Sequence, residues 1–177
     1  MLSFARRAFT PAVSFFASIV FLDSLRFKFT NAIETQVIFG KLNAWAATFG
    51  AQGLFAQTGL FSQYVIGSAE LVASTLLLVG LLPNLKRLNA LGAAIGFAVM
   101  SGAVSFHLFT PLGIDPNNDG GGLFAAAVTI WVSTLTLLII HRNEVLELLG
   151  ELGRAFIPTP QANPPRSAFK PQQSKLA

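Results

Sequence analysis

The chain has 177 residues, 53% hydrophobic and only 11% charged, with a mean hydropathy of +0.60. Soluble domains carry about 25% charged residues, so the composition argues against a water-soluble enzyme and points to a lipid bilayer as the main partner. The formal charge is +4 and the pI is near 10.0, but Arg6, Arg7, Lys86, Arg87 and Arg142 each flank apolar runs, so nucleic acid is not expected as a partner.

Four apolar runs dominate, at residues 11–29, 61–83, 88–110 and 123–140. Each approaches or exceeds the length of about 20 residues that crosses a bilayer as a helix. The first follows Arg6 and Arg7 and has the flavour of a secretory or twin-arginine leader. No Ala-x-Ala pattern follows it, and Asp23 stands where a small-residue cleavage site would lie. It is read as a retained first transmembrane helix.

Residues 30–60 are too polar to span. Ile38, Leu42, Trp45, Ala46 and Phe49 recur there at helical spacing and form one apolar face. That face suits an interfacial or re-entrant helix, with a folded extramembrane loop as the equal alternative. The second run ends at Pro83 and is followed by a short hinge with Lys86 and Arg87. The third run contains two small-xxx-small pairs, Gly92 with Gly96 and Ala98 with Gly102, which let helices approach closely in lipid. The connection at 111–122 is rich in turn formers and holds Asp115 and Asp119 without a cation. It lacks the Gly-Lys-Ser/Thr ending of a phosphate loop. After the fourth run, residues 143–157 form an amphipathic surface helix with Val145, Leu148, Leu149, Leu152 and Phe156 on one face. The segment 158–177 is expected to be a disordered tail.

With four crossings, Arg6, Arg7, Lys86, Arg87, Arg142 and the basic tail fall on one side, while the other side carries Lys41 with Glu34, and Asp115 with Asp119. The positive-inside rule then places both termini in the cytoplasm. The expected location is a bacterial inner membrane.

The candidate site residues are Asp23, Arg26, Lys28, Glu70, His107 and Asp119. At about 1.5 Å per residue, Asp23 lies roughly 9 Å and Glu70 roughly 13 Å below the outer surface, with Arg26, Lys28, His107 and Asp119 nearer to it. An isolated carboxylate in lipid protonates or pairs, so Glu70 is expected to meet Arg26 or Lys28. Two readings follow: a buried ion pair that fixes helix register, or a polar pocket open to the outer face that binds a ligand or relays protons, with His107 suited to the relay.

The chain has no cysteine and two histidines. Disulfides, thiol relays, iron–sulfur clusters and covalently attached haem are therefore excluded, and no metal site is expected. His107 and His141 fall at opposite ends of their runs, about a bilayer apart, which argues against haem b between them.

Three separated motifs carry a family resemblance. They are FLDSLRFKFT closing the first run, GSAELVASTLLLVGLLP in the second, and HLFTPLGIDPNNDGGGLF at 107–124. In this order they resemble the DoxX-like family of small integral membrane proteins, over roughly residues 10–142. The resemblance implies an all-α fold: a four-helix transmembrane bundle over 1–142, with an interfacial or re-entrant segment between its first two helices. It matches Lys28, Glu70, His107 and Asp119 to the family's polar positions. Some family members are subunits of a thiosulfate:quinone oxidoreductase, so an accessory subunit of a quinone-linked redox system is implied, with quinone as the possible cofactor and membrane proteins or a second copy as partners. A small-solute transporter and a scaffold subunit of a larger membrane complex are the alternatives.

Overall fold

The structure, a computed structural model, describes residues 2–156, with side chains from 9 to 155. The tail at 158–177 lies outside the described residues, as do the side chains of Arg6, Arg7 and Phe156. Among the described residues all regular structure is helical: α1 (Leu2–Phe29), α2 (Ile33–Ala47), α3 (Gln63–Val79), α4 (Lys86–Phe109), α5 (Gly122–Ile140) and α6 (Arg142–Phe156). Two of these, α4 and α5, are long and apolar enough to cross a membrane. α3 is apolar but has 17 residues.

Local chemistry sets the boundaries. α1 begins before the expected start of its apolar run and continues through Pro11, which removes one backbone donor from the ladder. The Ser62 hydroxyl caps α3 by accepting from Val65 N at 3.3 Å. α3 stops at Gly80, before Pro83 and the left-handed Asn84. Among the described residues α3 and α4 form a tight hairpin, whereas α1 and α3, and α4 and α5, are joined by longer structured connections.

α1, α3, α4 and α5 pack side by side, α1 on α3, α3 on α4, α4 on α5, and α5 back onto α1. Consecutive members run antiparallel. Lys28 near the end of α1 meets the first half of α3, and Asn89 near the start of α4 meets Ser14 of α1 and Leu77 of α3. The shared core is built from Ala17, Phe21, Ala73, Leu77, Met100 and Ile130, with further small residues. Its α3–α4 seam is so close that a Cβ on Gly92 would lie 2.8 Å from Leu77 N and 2.9 Å from Ala73 O. Gly96, its partner in the first small-residue pair, faces the Phe21 ring and Thr134, so that pair also brings helices close. Ala98 is exposed, and the nearest atom to a Cβ on Gly102 belongs to Phe106 of the same helix. The second small-residue pair therefore does not contribute to packing within the described chain.

α2 and the turns at 48–61 close one end of the bundle. Leu42, Ala46 and Phe55 form a second cluster with Leu112, joined by Ile38, Trp45 and Phe106. Lys41 Nζ donates to Pro116 O at 3.2 Å and ties α2 to the α4–α5 connection. The expected apolar face of this segment is thus buried against protein, as a folded cap. Phe49 is the exception, 57% exposed in the turn that follows the helix, touching Trp45 edge-on. At the opposite end α6 lies against α4, with Arg87 bonding Glu147 at 2.9 Å and Glu151 at 3.0 Å. Val145 and Leu148 are half-buried there, while Leu149 and Leu152 of the same expected face are exposed.

Candidate functional site

Lys28 and Ser24 lie one turn apart on α1, and Gln63, Gly67, Glu70 and Ser74 follow helical spacing along one face of α3. Where these faces meet, Lys28 Nζ is 3.0 Å from Glu70 Oε2. A Cβ on Gly67 would be 3.5 Å from Cβ and Cδ of Lys28, so the lysine stem lies flat across that glycine. Ser24 Oγ donates to Glu70 Oε2 at 2.5 Å and accepts from Lys28 Nζ at 3.2 Å. The Glu70 side chain is 3% exposed and that of Lys28 17%. Burial of a lone carboxylate is costly enough to demand a partner; here a cation and a hydroxyl share one carboxylate oxygen.

The polar contact continues along the α1–α3 seam. Ser74 Oγ donates to Glu70 O at 2.8 Å, and Ser18 Oγ donates to Ser74 O at 3.4 Å. Further along, Asn89 Nδ2 donates to Ser14 Oγ at 2.9 Å and to Leu77 O at 2.8 Å. Asn89 is wholly buried and its Oδ1 has no hydrogen-bond partner. At the capped end, Gln63 Nε2 donates to Lys28 O and to Asn31 Oδ1, both at 2.9 Å. Sequence reasoning restricted to ionisable groups passed over Ser14, Ser18, Ser24, Gln63, Ser74 and Asn89. For the serines and Gln63 the signal was periodicity, since they recur on one face of α1 and one face of α3, whereas Asn89 stands by itself near the start of α4.

All six expected residues lie toward the capped end, but they do not form one pocket. Only Lys28 and Glu70 come together in the interior. Asp23 pairs with Arg26 at 3.0 Å on the outside of α1, their side chains 59% and 68% exposed. Asp23 therefore does not approach Glu70. Arg26 also sits over the Phe27 ring, 4.5 Å from its centre. His107 is buried at the end of α4, and its Nδ1–H donates to Gly113 O at 2.6 Å. The acceptor is a carbonyl, so the proton is on Nδ1. Asp119 holds the start of α5: Oδ2 accepts from Leu123 N at 2.8 Å, and Oδ1 from Gly121 N at 3.0 Å. Asp115 Oδ1 in turn accepts from Asp119 N at 2.7 Å. The Leu123 N–H, with smaller help from Asp115 and the Gly121 N–H, holds the Asp119 carboxyl below its ordinary range.

A quinone head group offers two carbonyl acceptors on a flat ring. Lys28 is the donor that would meet it in the interior, but its ammonium is already turned to Glu70 and Ser24. Glu70 is 2% exposed and held by the same two groups. The pair fits a structural ion pair better than a quinone site.

Protein-family models, curated proteins and solved structures show no match to this chain.

Proposed function

We propose that the chain is an integral-membrane accessory subunit in which α1, α3, α4 and α5 each cross the bilayer as a DoxX-like four-helix bundle. The observation that carries this reading is reversed polarity. Ser14, Ser18, Glu70, Ser74, Asn89 and Thr134 are buried, while Phe15, Phe16, Ile19, Leu22, Val72, Val132 and Ile139 are exposed, Ile19 by 64%. In water that arrangement leaves apolar surface wet and buries polar groups for no gain. In hydrocarbon it is the favourable arrangement, because polar side chains join helices and apolar ones face lipid. The 17 residues of α3 fall at the short end of the spanning range, roughly 17–25 residues. Lys86, Arg87 and Arg142 gather at the α6 end and Asp115 and Asp119 at the capped end, which supports cytoplasmic termini.

An accessory role is favoured over catalysis because each of the six candidate side chains is already engaged within the chain. The resemblance makes a quinone-linked redox complex the larger assembly to which such a subunit would belong.

The chain has no cysteine, so a single introduced thiol is a unique label. Lys86→Cys and Asp115→Cys, expressed in intact cells, are expected to react with a membrane-impermeant maleimide from opposite sides. Labelling of both from one side overturns the four-span reading. Native purification is expected to bring down a stoichiometric membrane partner, with retention unaffected by Glu70→Gln. Bound quinone lost on that substitution would replace the accessory reading with a quinone-binding one.

A further inference from the structure

A cleft of about 190 Å³ opens in the cap, between α2, the 48–61 turns and the first turn of α3. Asn31, Gln36, Asn43, Gln57 and Gln63 line it, all carboxamides, and no charged residue joins them. Phe39 and Phe55 add aromatic surface.

Four of the amides are held in place from one end. Gln36 Nε2 donates to Asn31 O at 2.8 Å, and Asn43 Oδ1 accepts from Gly53 N at 3.0 Å. Gln63 Nε2 bridges Lys28 O and Asn31 Oδ1. These bonds leave Nδ2 of Asn31 and Asn43 as donors and Oε1 of Gln36 and Gln63 as acceptors, with both ends of Gln57 in addition. Such fixed, mixed donors and acceptors are pre-organised for binding.

Gly40 sits in the middle of α2 and lines the cleft, although glycine weakens a helix interior. A Cβ placed there would meet nothing within 4 Å. Packing of the protein does not require this glycine, and a larger side chain there would have open space beside the cleft lining to extend into.

The lining selects by chemistry. An ionic ligand would find no counter-charge, and an apolar one would strand the amides. A quinone ring offers acceptors alone and would leave the Gln36 and Gln63 oxygens without donors. A molecule with several hydroxyls supplies both donors and acceptors, and its C–H faces can lie against Phe39 and Phe55. We propose that this cleft binds a small neutral polyhydroxylated molecule, a simple sugar or cyclic polyol. The cleft is complete within one chain, so this binding stands apart from the number of membrane crossings.

The test is calorimetric titration of the full chain in lipid nanodiscs with glucose and with myo-inositol, using glucuronate and a dimethoxybenzoquinone as competitors. Saturable binding of at least one neutral polyol is expected, without competition from either competitor. Gly40→Leu, which fills the cleft, and Gln57→Leu, at an exposed side chain without hydrogen bonds, are each expected to weaken it about tenfold or more at unchanged helicity. No saturable binding of either polyol, displacement by the quinone, or unweakened binding by Gln57→Leu overturns the proposal. If Gly40→Leu does not fold, Gln57→Leu decides.

Discussion

A hydroxyl has one proton, and Ser24 Oγ lies 2.8 Å from Phe21 O and 2.5 Å from Glu70 Oε2. An ionised carboxylate is the stronger acceptor, so the proton turns to Glu70 and a lone pair is left for Lys28. The three side chains thereby bind one another at a single carboxylate oxygen. Removing one partner leaves the other charge buried and alone. Glu70→Ala is expected to destabilise the bundle by about 3 kcal/mol, whereas the double variant Lys28→Met with Glu70→Leu regains much of that loss. Reversible unfolding in mild detergent measures the cycle. A double variant as unstable as Glu70→Ala would show that the charge pair is not what the seam depends on.

The α4–α5 connection shows how a short polar segment organises an apolar helix. α5 is the most apolar of the elements, and its first donors are met by Asp119 through the Gly121 and Leu123 amides. Because the Asp119 carboxyl is held below its ordinary range, the cap is in place above the unfolded value of about 3.9 and is lost as pH falls through the lower folded value. Amide exchange at Leu123 is therefore expected to accelerate, relative to the intrinsic rate, as pH is lowered through that region, with no such step in Asp119→Ala. A pH profile identical in the two proteins would remove the carboxylate from the account.

At this scale the sequence was informative where hydropathy was continuous. The runs at 88–110 and 123–140 became Lys86–Phe109 and Gly122–Ile140. Period alone also placed Leu42 and Ala46 in a buried face. It misjudged Phe49, because α2 ends at Ala47 and Phe49 falls in the turn beyond it, where the helical period no longer applies.

Across the whole molecule, the readable part of the site was its charge balance: a carboxylate among apolar residues needs a cation, and Lys28 meets Glu70. What stayed hidden was which cation. Arg26 and Lys28 are two residues apart on α1, so they point to different sides of the helix, and only the packing of α1 on α3 shows which one faces inward. The serines and Asn89 were hidden for a related reason. A hydroxyl in an apolar run reads as a tolerated small side chain until the facing carbonyl is known.

The α1–α3 seam joins residues that leave the ribosome at different times. Ser24 and Glu70 are 46 positions apart in the chain. At a synthesis rate of about 5–20 residues per second, α1 waits some seconds before the carboxylate that neutralises Lys28 exists. During biogenesis the first helix is therefore an incomplete insertion unit, completed only by a later one. A nascent chain arrested at residue 90, with Glu70 still inside the ribosome, should leave a thiol introduced by Ser24→Cys open to aqueous alkylation, and extension through residue 130 should close it. Equal protection at both lengths would mean that the first helix settles without its partner.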